Sequence, residues 1–357
     1  MAWEGPGRGA IPSLPEMPSS KFVQCVFIDP AYARRFEGGV TQLERSRAER
    51  LQAQGIVKIV GKISPLPIAA KKVSPAEYLI RKDYARGRGK KIAWVQDYSK
   101  QGGAELSNCT VVAIGETLGY DIVGITPGNF PIKLLYEADL IVVNNFFEFT
   151  QEQTKQVNHA LYEMRIPYIK YEHDYRELNR ENTARQLFGL ARACVYLSPA
   201  HARRHTEKIH SSVSITLPLA IDIDTVITEK KETTPGICLV PCFRKGPALM
   251  SKYIQENPKT LFTVIGTASG TLLANTSFMG QLPYYQLLHE MSWHEEMLHL
   301  PSEPWAGERI FLEARLLGCK PIINENVGHG SWAEKDITID KLRKAPFAFW
   351  EMICHYL

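Results

Sequence analysis

The most informative absence in this 357-residue sequence is that of a long apolar run. No window of about 18 uncharged apolar residues occurs, which excludes a helix that spans a membrane. The first twenty residues, MAWEGPGRGAIPSLPEMPSS, also lack the apolar stretch of a secretory signal and carry Glu4, Arg8 and Glu16. We therefore expect a protein that is not exported and that acts in the cytoplasm.

Cysteines are few and dispersed, with seven in the whole chain. Only Cys238 and Cys242 are close to each other, four positions apart in the run GICLVPC, and no histidine pair follows at zinc-finger spacing. An odd number of scattered cysteines in a chain of this size is typical of free thiols in a reducing compartment. The sequence therefore predicts neither a disulfide framework nor a metal site.

Two nucleotide-binding motifs are missing as well. The sequence has neither the G-x-G-x-x-G fingerprint nor the G-x-x-x-x-G-K-[ST] phosphate loop, which disfavours NAD enzymes and P-loop NTPases.

The run WHEEMLH at 293–299 is not a metalloprotease motif, because its histidines are five positions apart, whereas a spacing of four aligns both on one helix face.

The charge that is present is unevenly distributed. The net charge is +4, yet residues 1–90 contain 16 Lys and Arg against 8 Asp and Glu, and the remainder of the chain is acidic. The densest basic segment, 80–91, reads IRKDYARGRGKK. Such a segment is either a solvated linker or a surface that binds a polyanion. The residues of this candidate surface are Arg81, Lys82, Arg86 and Arg88.

The first ninety residues divide into three parts. Residues 1–20 are rich in Pro, Gly and Ser, and we expect them to be disordered. Residues 21–63 contain two apolar runs, a helical pattern that ends at Gly55 and a third apolar run, which together predict a small β-β-α-β appendage. Residues 64–89 form the basic linker to the rest of the chain.

From residue 90 onwards, apolar strands alternate with helical patterns, which predicts parallel sheets covered by helices. The predicted strands are the runs KIAWVQ, DIVGI, DLIVVN, PYIKY, ACVYL, SITLPL, GICLVP, TLFTVIG, MLHLP and KPIINE. The length of the chain favours two domains in this α/β class. We expect Rossmann-like domains at 90–227 and 228–340 that face each other across a cleft. Residues 341–357 form an amphipathic helix that crosses back to the first domain.

Three features of the α/β part are candidates for ligand-binding or catalytic positions. Gly102 and Gly103 lie between a strand and a helix N-terminus, a position that favours anionic ligands, although a plain tight turn would look the same. His173 follows a predicted strand at its carboxyl end, where ligands bind in open α/β sheets. Glu313 lies on an otherwise apolar helix face and is costly to bury without a partner. Most of the other histidines, including His201 and His205, are interpreted as surface residues.

Taken in order, several motifs resemble the retaining glycosyltransferase family 4, whose members have the GT-B fold. The resemblance covers residues 90–357, and its strongest part is the block 302–323. The motifs are Gly102-Gly103-Ala104-Glu105, His173-Asp174, Lys245-Gly246-Pro247, Val264-Ile265-Gly266 and the block from Ser302 to Ile323. The N-terminal appendage is also similar to short modules of bacteriophage proteins.

The resemblance implies a role for each matching position. Lys245 and Arg244 would neutralise the departing diphosphate, which accumulates negative charge during transfer. His173 would hydrogen-bond the transferred sugar, and Glu303 would approach it. The donor-binding positions would be Gly102, Gly103, Gly266 and Glu313, with Glu313 on the ribose.

Two departures from the family pattern affect these assignments. Nine residues separate Glu303 from Glu313, whereas the family usually has seven between its two glutamates, and Trp305 occupies the usual first position. Arg244 and Lys245 are adjacent, whereas the family's Arg and Lys are normally several residues apart.

The function implied is transfer of a sugar from a UDP- or GDP-sugar, used as a co-substrate, with no permanently bound cofactor and no metal. The pair Asp222 and Asp224 falls at the end of the first domain and is interpreted as structural. The acceptor is either a hydroxymethylated base in phage DNA, inside the host cytoplasm, or a saccharide or lipid-linked molecule. An inactive GT-B binding module and a nucleotide-sugar epimerase are the alternatives.

Overall fold

The computed structural model describes residues 22–27, 40–44, 57–62, 87, 89–97, 102–176, 181–211, 213–228, 234–266 and 273–357. The segment 1–20, the candidate polyanion residues Arg81, Lys82, Arg86 and Arg88, and the helix expected in the appendage lie outside these residues.

The N-terminal part contributes a small antiparallel sheet. Its strands are β1 (Phe22–Phe27), β2 (Val40–Glu44) and β3 (Val57–Lys62). Strand β1 is central and pairs with both of the others. The three strands agree with the predicted order of strands in the appendage.

The next part is a six-stranded parallel sheet with the order β5-β4-β6-β7-β8-β9. Strands β4 to β8 are buried almost throughout, as expected for a sheet covered by helices on both faces. All six strands fall on the runs that the sequence predicted. The elements are β4 (Lys91–Val95), α1 (Gly103–Leu118), β5 (Asp121–Ile125), α2 (Ile132–Tyr136), β6 (Leu140–Val143), α3 (Gln151–Asn158), β7 (Tyr168–Tyr171), α4 (Glu181–Gly189), β8 (Ala193–Tyr196), α5 (Pro199–Thr206), β9 (Ser214–Thr216) and α6 (Ile223–Thr228).

A second parallel sheet follows, with five strands in the order β12-β11-β10-β13-β14. The sequence predicted four of these strands and missed β12. The run WHEEMLH contributes strand β13, not a helix. The elements are β10 (Thr234–Val240), α7 (Pro247–Glu256), β11 (Leu261–Ile265), β12 (Thr276–Gly280), α8 (Tyr284–Ser292), β13 (His294–His299), α9 (Arg309–Leu317) and β14 (Lys320–Ile323).

The last helix, α10 (Ile339–Tyr356), returns to the first sheet. Its Trp350 donates from Nε1 to the carbonyl of Val111 on α1 at 2.7 Å and stacks on Tyr120 at a ring distance of 4.4 Å. A Cβ atom at Gly115 would lie 2.1 Å from the Trp350 ring, so glycine is required for this contact. The helix therefore joins the end of the chain to the first sheet.

None of the helices in the described part of the chain is long and apolar enough to cross a membrane.

Candidate active site

The loops that follow the strands of one sheet contact the loops and helix of the other. Ser198, after β8, donates to the carbonyl of Ala306 at 2.7 Å, and Trp332 donates to the carbonyl of Leu197 at 3.0 Å. Gly103, at the start of α1, packs against Arg309 at the start of α9, where an added Cβ would lie 3.5 Å from the arginine Cβ. The α1 N-terminus and the 302–323 block therefore meet at the interface.

Lys245 lies in a short 3-10 turn after β10, directly before α7. Its ammonium group is 2.7 Å from Oε1 of Glu308 and 3.5 Å from the ring centroid of Trp305. The turn requires glycine at position 246, because a Cβ there would lie 1.9 Å from the carbonyl oxygen of Leu300. The lysine is held between a carboxylate and an aromatic face and is still 14% exposed.

Glu308 balances the charge of Lys245 and is itself buried. Nε2 of buried His299 is 3.4 Å from Oε1 of Glu308. The backbone N–H of Glu308 donates to Nδ1 of His329 at 2.8 Å. Burial raises the pKa of the Glu308 carboxyl, but the hydrogen bond with His299 and the charge of Lys245 outweigh burial and hold the pKa below its usual value. Glu308 is thus the anion beside Lys245, a role that the sequence analysis did not assign.

His173 lies just beyond the carboxyl end of β7, as expected, and is 7% exposed. Its ring is 4.3 Å from that of Tyr171, and its Nε2 is 3.1 Å from Oδ1 of Asn144, which follows β6. Burial lowers the pKa of His173 to about 3, so its imidazole is neutral at pH 7.

A buried ion pair directly precedes His173 in the chain. Nζ of Lys170 is 2.8 Å from Oε2 of Glu172, and both side chains are fully buried. Lys170 also donates to the carbonyl of Asn144 at 3.0 Å. Oε1 of Glu172 accepts from the backbone N–H groups of His173 and Asp174 at 3.2 and 3.1 Å. The pair therefore fixes the turn that carries His173.

His201 and His205 correct the sequence analysis, which interpreted them as surface residues. Both are fully buried on α5, and the Nε2 atoms of both lie within hydrogen-bonding distance of the carbonyl oxygen of Asp174, at 3.1 and 3.2 Å. The histidines are covered by the turn after β7, which comes from another part of the chain. The short apolar face of α5 therefore does not reveal their burial in the sequence.

His201, His205 and Glu172 also bring potential metal-ligand atoms within 4.8 Å of one another. The hydrogen bonds do not fit a metal site, however. Nδ1 of His201 accepts from the backbone N–H of Leu197 at 3.2 Å, which leaves the proton of a neutral imidazole on Nε2, the nitrogen that would bind the ion. Glu172 is already neutralised by Lys170. The cluster is better described as a buried polar network.

Glu313 is 2% exposed and has two partners. Its Oε1 pairs with Nε of Arg309, one helical turn earlier on α9, and accepts from the hydroxyl of Tyr284 at 2.6 Å. Arg309 continues across the interface, donating to Oγ of Ser107 at 3.2 Å and to the carbonyl of Ala220 at 3.0 Å. The expected cost of burying Glu313 is therefore offset by an arginine that also joins the two α/β parts.

The remaining predicted site residues are more peripheral. Glu303 and Arg244 are exposed on loops after β13 and β10. Gly266 follows β11 with φ of +95°, a left-handed conformation that favours glycine.

Asp222 and Asp224 make structural contacts. Asp222 accepts from the backbone of Thr225, and Asp224 pairs with Arg343 on α10 at 2.6 Å.

The sequence analysis missed several polar residues of this region. Lys170 had a signal, since a lysine in the middle of the apolar strand YIKY has to be paired if it is buried. Arg309 is spaced four positions from Glu313, the spacing of a helical ion pair. Nothing local identified Asn144 or Glu308, whose partners come from other elements.

Two acidic side chains lie near Gly102. Asp97 follows β4 and accepts from the backbone N–H of Glu148 at 2.8 Å, and Glu105 lies in the first turn of α1. Burial is the largest cause that raises the pKa of both carboxyls above their ordinary values. Both carboxyl groups are therefore more easily protonated than free ones.

The buried histidines predict that the protein is sensitive to mild acid. Burial lowers the pKa of His201 and of His173 to about 3 and of His329 to about 4, and it lowers that of His205, from an ordinary 6.5. At pH values between the lowered pKa values of the folded protein and the ordinary 6.5, the unfolded chain binds more protons than the folded one. The free energy of unfolding therefore falls as the pH drops below about 6.5. Urea unfolding at pH 7.5, 6.0 and 5.0 measures this decrease. Equal midpoints at pH 7.5 and 5.0 would contradict neutral buried histidines.

No protein-family model and no curated protein matches the chain. Among solved structures, HepE from Anabaena in complex with UDP-glucose is 14% identical, with a TM-score of 0.52 over 74% of this chain and 94% of that one. A glycosyltransferase from Rickettsia africae is 12% identical, with a TM-score of 0.53 over 75% and 94%.

A third similar structure is an α-glucosyltransferase in complex with UDP and a 13-mer DNA that contains a HMU base. It is 12% identical, with a TM-score of 0.51 over 75% of this chain and 94% of that one. At such low identities the likeness concerns the fold. The two parallel-sheet domains of this protein have the GT-B fold that the family resemblance implied.

Proposed function

We propose that this protein transfers a sugar from a nucleotide diphosphate donor, a UDP- or GDP-sugar, to an acceptor hydroxyl, with retention at the anomeric carbon. The observation that carries the proposal is the Lys245 ammonium group, placed at the carboxyl end of β10, where open α/β sheets bind ligands. The likeness to structures that hold UDP or UDP-glucose supports the same class of donor.

The leaving diphosphate gains negative charge in the transition state, and Lys245 supplies the matching positive charge. In the structure that charge is already paired with Glu308 at 2.7 Å. A donor phosphate would either replace Glu308 as the partner of the ammonium group or bind the ammonium group together with it. The Trp305 ring would keep the ammonium group in place. Exposed Arg244 is the second candidate cation, and it would reach the phosphates from the rim.

The other proposed donor contacts follow from the positions described above. Gly102 and Gly103 would let an anionic group approach the N-terminal N–H groups of α1. Both described contacts of Glu313 use Oε1, so its Oε2 is the atom proposed to accept from the ribose. Gly266 would line the nucleotide, and Glu303 would approach the sugar from its exposed loop.

Donor turnover tests the proposal directly. The purified protein is incubated separately with UDP-glucose and other UDP- and GDP-sugars, and free UDP or GDP is quantified by mass spectrometry. We expect slow hydrolysis of one donor without acceptor and faster release with the correct acceptor. Binding of UDP without turnover of any donor would instead identify an inactive GT-B binding module.

For the acceptor we propose DNA that carries hydroxymethylated bases, which would place the protein in the host cytoplasm if a bacteriophage encodes it. Two observations favour this class over a saccharide or a lipid-linked acceptor. One is the basic composition of residues 1–90, and the other is the likeness to a glucosyltransferase solved with DNA. The end of the basic segment is not available, since Lys90 pairs with Asp139 at 3.0 Å and Lys91 with Glu137 at 3.3 Å.

The basic segment gives a prediction about salt. If it contacts phosphates, log affinity for duplex DNA falls with log salt by about 0.9 per contact. Replacing Arg81, Lys82, Arg86 and Arg88 with serine should flatten that slope and weaken binding to all sequences equally, because phosphate contacts do not read bases. Fluorescence anisotropy with labelled DNA at several salt concentrations measures both effects. An unchanged slope would mean that the segment is a solvated linker, and donor hydrolysis serves as the control.

A further inference from the structure

Asn144 is a buried amide at the carboxyl end of β6 whose contacts determine its orientation. Its Nδ2 donates to the carbonyl of Val95 at 3.4 Å, and its Oδ1 lies 3.1 Å from Nε2 of His173. The reverse orientation would place two oxygen atoms against each other at Val95, because a carbonyl only accepts. Oδ1 therefore faces the histidine.

This orientation determines where His173 carries its proton. An amide oxygen can only accept, so Nε2 must be the protonated nitrogen, and a neutral imidazole then has a bare lone pair on Nδ1. Among the described residues, no group donates to this buried Nδ1. An unfilled buried acceptor is costly, so the position suits a donor hydrogen that arrives with a ligand.

The charged groups around His173 do not change this result. Glu172 and Lys170, on the same strand and turn, form their own pair at 2.8 Å, and His201 approaches from α5 with its Nδ1 already accepting from Leu197. Tyr171 contributes an uncharged ring, whose centroid is 4.3 Å from that of the imidazole. The imidazole therefore stays neutral and keeps its lone pair at neutral pH.

We propose that Asn144 is a positioning residue that holds His173 in the Nε2–H tautomer, so that Nδ1 accepts a hydrogen bond from a hydroxyl of the transferred sugar. The second half of this inference rests on the proposed function, and the first does not. A hydroxyl fits because it is a neutral donor, whereas a phosphate oxygen or a carbonyl would oppose the lone pair. A donor sugar that lacks this hydroxyl leaves the buried acceptor unpaired and is discriminated against.

The tautomer can be measured on the free protein. In long-range proton–nitrogen NMR spectra of the 15N-histidine-labelled protein, the resonances of His173 are assigned by comparison with His173→Gln. We expect a protonated Nε2 and an unprotonated Nδ1 at pH 7. In Asn144→Leu the preference should be lost, with both tautomers in exchange. A wild-type His173 protonated on Nδ1, or on both nitrogens, would overturn the assignment of Asn144.

The sugar contact is tested with deoxy donors. Removing the hydroxyl that pairs with Nδ1 should lower wild-type turnover about 5- to 150-fold, the effect of one unpaired buried group. Asn144→Leu should lower turnover of the full donor by a similar factor. In this variant, the same deoxy donor should be turned over almost as fast as the full donor. UDP affinity should be unchanged in both proteins, which separates a lost sugar contact from a misfolded site.

Asn257→Leu is the matched control, since Asn257 is a partly buried amide that donates to the carbonyl of Tyr253 at the end of α7. It should keep the wild-type tautomer and turnover. If no deoxy donor distinguishes wild type from Asn144→Leu, the hydroxyl contact is wrong. If no nucleotide sugar is turned over while the Nε2–H tautomer is observed, the proposed function fails with the hydroxyl contact, and the Asn144–His173 assignment stands.

Discussion

Replacing Lys245 with alanine is expected to lower the turnover of the nucleotide-sugar donor about 100- to 1,000-fold, the usual effect of losing one preorganised group on developing charge. The substitution also leaves Glu308 buried beside His299 without its cation. The carboxylate would then repel the donor phosphates, so donor affinity should fall as well. Steady-state kinetics of UDP release measures both effects.

Lys252→Ala is the control for this prediction. Lys252 lies on α7, is exposed and is 3.9 Å from Glu256, so its loss removes the same charge at a distance from Glu308. Its kinetics should match wild type. The variant Lys245→Ala/Glu308→Gln should regain part of the donor affinity, because the repelling carboxylate is gone, but not the turnover. Unchanged turnover of Lys245→Ala would show that the diphosphate binds elsewhere.

Replacing Arg309 with methionine is expected to destabilise the protein by about 3–5 kcal/mol, since breaking a buried ion pair leaves an uncompensated charge. Here the remaining charge is Glu313, which would keep only the hydroxyl of Tyr284. The contacts to Ser107 and Ala220 on the first α/β part would be lost together. Urea unfolding at pH 7.5 measures the change.

The double variant Arg309→Met/Glu313→Leu separates the two causes. Removing both charges should restore most of the lost stability, because an apolar pair of similar volume often replaces a buried ion pair without loss. Arg315→Met, on the same helix with its exposed partner Glu334 at 3.7 Å, should change stability by less than about 1 kcal/mol. A single Arg309→Met variant as stable as Arg315→Met would contradict the buried network.

Most strands were predicted from the sequence because a buried parallel strand is a short apolar run bounded by turn residues. Strand β12 was missed since its sequence, TSFMG, has no such run and four of its five residues are only partly buried. Strand β13 begins at His294, earlier than its apolar residues indicated. Both lie in the second sheet, where pairing with a neighbour replaces apolar content as the reason for a strand.

The candidate site was predictable to the extent that it depends on strand ends. His173 follows β7, as the alternation of strands and helices indicated. Lys245 and Gly266, which the family resemblance singled out, follow β10 and β11. Their placement at a sheet edge is a property of the α/β topology. The assignment of Glu303, Glu313, Arg244 and the glycines to substrate contacts stays a prediction, which the kinetic variants test.

The sequence by itself determined the α/β class, the two parallel sheets and the positions of the strand ends, because these follow from the local alternation of apolar and polar residues. Only the tertiary structure decided which polar groups are paired: Asn144 with His173 across 29 positions, Lys245 with Glu308 across 63, and Arg309 with Ser107 across 202. The same holds for His201 and His205, which look like surface residues until the turn after β7 covers them. The reason is that a buried polar group is stable only with a partner, and that partner comes from whichever element the fold brings against it.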